Sequence, residues 1–264
     1  MSIDRRIILQ GLCCCSACAI LGLPASARSQ QEKVARLSQI KGCFVEDNNA
    51  DLLLGANFSA GKHSHLPSEV KTMMRSTGDE EVDQLFDAAL ARLAETFDVW
   101  PKVGFYDDGD EPNAMAMRYA VAGTHEFAVV FGRNYFKSLM DYDPSGITLL
   151  QTAAHEFAHV WVYKEGLFQK IRGGQPTVKR IELHADFMSG YYLGFRKIEH
   201  PDESFLLAGY RREDSGDMQV DNVNHHGTPE ERADAANAGF ELGAKKRPTP
   251  RQALEAATAY VSNK

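Results

Sequence analysis

The stretch TAAHEFAHVW, residues 152–161, places two histidines four residues apart in an otherwise apolar segment. Residues four apart share one face of a helix, so the imidazoles of His155 and His159 can point at one place. The tetrapeptide HEFA also occurs at 125–128, where no second histidine follows. That copy is predicted to lie on a strand, with His125 at the surface, so only the second copy can form a site.

Apolar periodicity predicts helices on both sides of this stretch. The stretch itself belongs to a predicted helix in which Asp143 is the cap, Pro144 lies in the first turn and Gly166 ends the helix. Thr228 and Glu231 form a predicted capping box around a proline. The predicted helices span 79–97, 143–166, 177–195, 227–243 and 249–263.

Three segments with strand character precede the histidines, at 100–106, 114–122 and 126–132. The last two flank Gly123 and Thr124, which is typical of an antiparallel hairpin. The acidic turn at 107–113 lacks the ligand spacing of a calcium loop and is predicted to be a solvated loop. These elements predict a single α+β domain, residues 30–264, with a small antiparallel sheet. Within it, 30–77 has no clear pattern and could be a plug, a prosegment or part of the core.

The first 29 residues have the layout of an export signal, with a basic start, an apolar run and small residues ending in ASA at 25–27. Arg5 and Arg6 resemble a twin-arginine signal. An ordinary Sec signal, an uncleaved anchor and a lipoprotein acylated at Cys18 are the alternatives. We therefore expect an exported protein, periplasmic or extracellular, cleaved near Ala27 and without a membrane span in the mature chain.

Composition limits the partners of the mature protein. The chain has 264 residues, 44% of them apolar, which is enough for a sizeable core. Loss of Arg5, Arg6, Arg28 and Asp4 with the signal changes the net charge from −7 to −9. An acidic protein without a basic patch is not expected to bind nucleic acid or anionic membranes. Cys43 is the one cysteine left, so no intrachain disulfide can form.

His155, Glu156 and His159 form the pattern H-E-x-x-H. Zinc binds neutral imidazole nitrogens, and catalytic zinc sites combine three protein ligands with an open position. Glu156 lies about 100° round the helix from His155, where it can act as general base toward a water activated by the metal. Because two buried histidines and a glutamate need polar partners, we predict one zinc ion per chain here.

The third zinc ligand is predicted to be Glu182, in the segment ELHAD at 182–186. Its spacing from His159 lets the chain turn and a second helix pack beside the first. Asp186 shares a face with Glu182 and is predicted to accept the outer N–H of a ligating histidine. His184 lies roughly 200° from Glu182 on the same helix and is the alternative third ligand.

These motifs resemble those of gluzincin zinc metallopeptidases, particularly the family of the CAAX prenyl proteases and the bacterial heat-shock membrane protease, including its small soluble members. The matching segments are PNAMA at 112–116, EFAVVFGRNYFKSL at 126–139, HEFAH at 155–159, ELHAD at 182–186 and HHGTPEER at 225–232. The last has Gly227 where a proline is common in the family. ELHAD and HGTPEER are also similar to segments of the neutral zinc metallopeptidases, and the resemblance covers roughly residues 80–240.

The resemblance implies a zincin-like domain in which the HEFAH helix packs on the ELHAD helix. It implies hydrolysis of a peptide or protein substrate, with Glu156 as the base. As a separate hypothesis, the strand at 126–131 holds the substrate extended by pairing with its backbone. His226, or alternatively His225, and Arg232 would steady the oxyanion or organise the site. Helix capping and a surface ion pair are the alternative explanation for these last residues. A zinc-bound chaperone or scaffold and a hydrolase of non-peptide amides are the alternative functions.

Overall fold

The computed structural model describes residues 76–106, 108, 113–121, 124–202, 204–205, 216–218, 220–222 and 225–264, and of 117–121 and 124–126 it describes the backbone only. The predicted export signal, Cys43 and nearly all of the segment at 30–77 lie outside these residues.

The described residues form an α+β fold, the class predicted from the sequence. In chain order the elements are α1 (Glu80–Phe97), β1 (Lys102–Tyr106), β2 (Ala114–Val121), β3 (Thr124–Gly132), α2 (Arg133–Tyr142), α3 (Ile147–Lys164), α4 (Phe168–Arg172), α5 (Lys179–Glu199), α6 (Pro229–Glu241) and α7 (Pro250–Ser262). A π-helical turn, Leu242–Lys246, follows α6. Within the described ranges, no helix combines the length and apolar character needed to cross a bilayer.

The three strands form one mixed sheet in the order β1-β3-β2. β2 and β3 pair as the predicted antiparallel hairpin, with Ala114 opposite Phe131. The prediction of a purely antiparallel sheet is wrong, because β1 joins β3 in parallel, with Val103 opposite Val129. The chain between β1 and β3 includes all of β2 and is long enough for the crossover that a parallel pair requires.

Asp108 links the parallel strands to the helix that follows them. Parallel strands end at the same edge of a sheet, so the residues after β1 lie beside those after β3. The Asp108 carboxylate accepts the backbone N–H groups of Asn134 and Tyr135, each at 2.9 Å, and thereby caps α2. Asp108 is buried, so the prediction of a solvated turn is wrong at this position; residues 107 and 109–112 lie outside the described chain.

The helix that carries both histidines, α3, is shorter than predicted. It begins at Ile147, so Pro144 precedes the helix instead of lying in its first turn. Asp143 still caps the helix, because its Oδ2 accepts the N–H of Thr148 at 2.8 Å. The capping box of Thr228 at the start of α6 is present as predicted.

The hydrophobic core surrounds α3. Aromatic rings from α1, β3 and α2 meet on the sheet, with ring centroids of Phe86 and Phe131 5.4 Å apart and those of Phe86 and Phe136 5.3 Å apart. At the other end of α1, Phe97 stacks on Trp161 of α3 at 5.4 Å. α3 also packs against α5, β2 and β3, so nearly every α3 residue from 147 to 162 is buried.

Helices α5 and α6 pack backbone to backbone and run in the same direction. Asp186 contacts Arg232 across a sequence separation of 46 residues, and the same offset relates Gly190 to Ala236 and Gly194 to Phe240. A side-chain carbon added to Gly190 would lie 1.9 Å from the carbonyl oxygen of Ala236. Only glycine fits such a contact, which fixes how closely the two helices approach.

Candidate metal centre

Side chains from α3 and α5 converge on one point. Nε2 of His155 and Nε2 of His159 lie 3.0 Å apart. The carboxylate of Glu182 faces both, with one oxygen 3.3 Å from His155 Nε2 and the other 3.5 Å from His159 Nε2. The helical spacing of the histidines and the packing of α5 against α3 together produce this cluster.

The cluster has the donor atoms and the dimensions of a metal site. Zinc with ligands at about 2.0–2.1 Å in tetrahedral geometry sets neighbouring ligand atoms about 3.3 Å apart. The measured separations of 3.0, 3.3 and 3.5 Å lie around this value. Two imidazole nitrogens and one carboxylate oxygen are also ligand types that zinc accepts. The His155, His159 and Glu182 group can therefore hold a metal ion.

The two histidines have opposite electrostatic environments. Burial lowers the pKa of His159 to about 3, although Glu182 opposes the shift. His159 is therefore neutral near pH 7, which is the form that binds metals. Burial alone would also lower the pKa of His155, but Asp186 and Glu182 raise it above its ordinary value. The surroundings of His155 thus favour a positive charge, either a proton or a cation.

Asp186 and Arg232 form a buried layer behind the cluster. Oδ1 of Asp186 lies 2.9 Å from Nδ1 of His155, although the angle departs from that of a regular hydrogen bond. Arg232 donates to both oxygens of the same carboxylate, from Nε at 2.7 Å and from Nη2 at 3.0 Å. Arg232 is 4% exposed, so this is a buried ion pair and not a surface one. Its guanidinium, which is also 3.6 Å from Glu182, organises the carboxylates of the site.

Both carboxylates of the site are ionised. Burial alone would raise the pKa of Asp186, but Arg232 and His155 lower it well below its ordinary value. Burial likewise opposes ionisation of Glu182, whereas His159 and His155 lower its pKa well below the usual range. Two buried carboxylates facing one guanidinium leave an excess of negative charge, which favours a bound cation.

Glu156 and Tyr163 complete the α3 face beside the cluster. Glu156 is 7% exposed. Burial raises the pKa of Tyr163, and the negative charges of Glu182 and Glu156 raise it further. The Tyr163 hydroxyl therefore keeps its proton, and both carboxylates act electrostatically on it. The ring of Tyr163 stacks on Phe168 with centroids 5.7 Å apart. Tyr163 was not among the predicted site residues, although it follows His159 by one helical turn.

The two histidines before α6 differ in their surroundings. The side chain of His225 is 2% exposed and its Nδ1 lies 2.7 Å from Oδ1 of Asp217. The side chain of His226 is 37% exposed. Against burial, and in addition to His159 and His155, the charge of His226 lowers the pKa of Glu182. Of the two alternatives, His226 therefore has the more exposed side chain and an electrostatic effect on Glu182, whereas His225 is buried. Asp217, which contacts both residues, was not among the predicted site residues.

The remaining candidate histidines do not join the cluster. His184 is buried on α5, with Nε2 3.4 Å from the hydroxyl of Thr258 on α7, and it therefore faces away from the metal ligands. His125 lies on β3, paired with Ala120 of β2, as the sequence predicts for the first HEFA copy. The side chain of His125 is outside the described residues, so its predicted surface position stays a prediction.

Comparison with known proteins gives no match: none is found among protein-family models, among curated proteins or among solved structures.

Proposed function

We propose that this chain is an exported zinc-dependent endopeptidase with a zincin-like fold, similar to the gluzincins that its motifs resemble. The observation that carries the proposal is the convergence of His155, His159 and Glu182 within metal-ligand distances, with buried Glu156 on the same helix. A structural metal site needs no general base, whereas hydrolysis does. The acidic charge of the chain favours a peptide or protein substrate over nucleic acid or an anionic membrane.

The residues around the cluster have distinct proposed roles. When bound, zinc supplies Lewis-acid activation of a water molecule and of the scissile carbonyl. Glu156 accepts the proton of the attacking water and passes it to the leaving amine. His226, partly exposed at the edge of the cluster, donates to the oxygen on which negative charge develops. Asp186 and Arg232 hold His155 in its ligating orientation.

The substrate is proposed to dock along β2. The expectation that the strand at 126–131 pairs with the substrate is wrong for residues 128–131, because β3 pairs there with β1 on one side and with β2 on the other. β2 is an edge strand in the described sheet and packs against α3. An extended peptide added to β2 by backbone hydrogen bonds would lie next to the helix that carries the metal ligands. A peptide complex with the substrate away from β2 would contradict this placement.

The decisive experiment compares zinc content and turnover in protein lacking residues 1–29. Wild type is expected to hold one zinc per chain and to cleave members of a peptide library. His155→Ala and Glu182→Ala are expected to lose zinc and activity together. Glu156→Gln is expected to keep zinc and to lose about 10²–10⁴-fold in kcat, because it removes the base and leaves the ligands intact.

Each alternative function predicts a different outcome. A zinc-bound chaperone or scaffold would hold zinc but cleave no peptide in the library. A hydrolase of other amides would cleave non-peptide amides in a Glu156-dependent manner and leave peptides intact. Full zinc occupancy in both His155→Ala and Glu182→Ala would show that the metal site is elsewhere.

A further inference from the structure

The parallel packing of α5 and α6 determines where the chain between them arrives. A chain that leaves the end of α5 must return to the beginning of α5 before it can start a parallel neighbour. The described residues just before α6, which are 216–218, 220–222 and 225–228, therefore lie at the end of α5 that carries Glu182. The N-termini of both helices are at this end, and their dipoles favour the negative charge of Glu182.

Asp217 ties this returning segment together with both its side chain and its backbone. Oδ1 lies 2.7 Å from Nδ1 of His225, and Oδ2 accepts the backbone N–H of His226 at 2.9 Å. The backbone N–H of Asp217 donates to the carbonyl of Gly227 at 2.9 Å. One aspartate thus holds three consecutive residues, and it is partly buried, with 28% of its side chain exposed.

Gly227 fixes the segment against α5. Its φ of +106° lies in a region that side-chain-bearing residues rarely adopt. A carbon added at Gly227 would be 3.1 Å from Leu183 and 3.6 Å from Lys179, which belong to the same turn of α5 as Glu182. The backbone next to His226 therefore contacts the turn of α5 that supplies the third metal ligand.

We propose that Asp217 is a positioning residue that holds the imidazole of His226 at the edge of the metal site, facing Glu182. Nδ1 of His226 lies 3.8 Å from Oδ2 of Asp217, so Nε2, on the opposite side of the ring, is the nitrogen left to face a substrate oxygen. His225 supports the same carboxylate from the buried side. This inference deepens the proposed peptidase function, on which it rests for its catalytic meaning.

The placement of His226 can be tested by NMR without metal or turnover. The readout is the ring Hε1 resonance of His226 before and after Glu182→Gln. With Asp217 present, we expect this resonance to shift, because the imidazole faces the altered carboxylate. In an Asp217→Ala background the response should be lost, and in an Asp221→Ala background, which changes an exposed aspartate of the same segment, it should remain. An equal response with and without Asp217 would overturn the inference.

Kinetics test the catalytic consequence separately. Asp217→Ala is expected to lower kcat about 10–100-fold with little change in zinc content. If Asp217 acts through His226, the double variant Asp217→Ala/His226→Ala should be no slower than His226→Ala alone. Additive losses would contradict this role. Asp217→Asn, which keeps an oxygen for the His226 backbone, replaces Asp217→Ala if that variant does not fold. A wild type that cleaves no peptide would reject the peptidase proposal, while the NMR result would still decide the placement of His226.

Discussion

At the residue scale, the site depends on two carboxylates that each contact more than one side chain. Asp186 contacts His155 with one oxygen and receives hydrogen bonds from Arg232 on both. Glu182 faces two histidines and lies 3.6 Å from the same guanidinium. A change in Arg232 should therefore reach the metal ligands although Arg232 is not a ligand itself.

Arg232→Lys provides the test of that coupling. Lysine keeps the charge but cannot donate in parallel to both oxygens of Asp186, so His155 loses part of its support. We expect zinc affinity, measured by competition with a chromogenic chelator, to fall about 10–100-fold. The matched control is Arg251→Lys, which changes an arginine with 57% of its side chain exposed in an ion pair with Glu165. Unchanged affinity in Arg232→Lys would show that charge alone is sufficient.

The residues predictable from sequence were those with helical spacing. His155, His159, Glu182 and Asp186 lie on regular helices, where a spacing of four residues specifies a shared face. Asp217 lies in an irregular segment in which spacing specifies no direction, and its contacts become visible only in the folded chain.

At the element scale, the separation of α5 and α6 is set by glycines. Gly190 and Gly194 on α5 face α6, and Gly239 and Gly243 on the other chain segment face α5. The four-residue spacing within each glycine pair is visible in the sequence. A glycine within a helix, however, ordinarily predicts only that the helix is less stable. That these pairs meet, and that the helices run parallel, cannot be deduced from either helix alone. The parallel pairing of β1 was missed for the same reason.

Gly239→Ala should disrupt this contact. The added carbon would lie 1.8 Å from the carbonyl oxygen of Phe187, and backbone on both sides leaves little freedom to relax. We expect a loss of about 1–3 kcal/mol in the free energy of unfolding, measured by urea denaturation. Asn237→Ala, at an exposed position of the same helix, should have little effect. A neutral or stabilising Gly239→Ala would mean that the helices separate easily.

At the scale of the whole molecule, the proposed metal adds a link between two helices that already meet through packing and through the contact of Asp186 with His155. The α+β class and most helix bounds were predictable from periodicity, but the mixed sheet was not, because residues 100–106 do not specify the direction of their partner. The ligands come from α3 and α5, so an ion bound by all three stabilises the docked arrangement over the unfolded chain.

Removal of metal should therefore lower the melting temperature. Zinc at about 100 times its Kd contributes about 2.7 kcal/mol, which corresponds to roughly 5–10 °C in a chain of this size. We expect a loss of this order on treatment of wild type with a chelator, measured by differential scanning calorimetry. His159→Ala, which lacks one ligand, should show no such response. The same chelator-induced loss in His159→Ala would place the stabilising ion elsewhere.

The glycine contact between α5 and α6 also limits how the site can move. Rotamer changes normally let packed helices slide by small amounts, but side chains are absent where these two backbones touch. Asp186 and Arg232 therefore belong to one rigid body that carries Glu182 with it. Any widening of the site to admit or release a ligand must therefore come from a movement of α3 relative to this fixed pair.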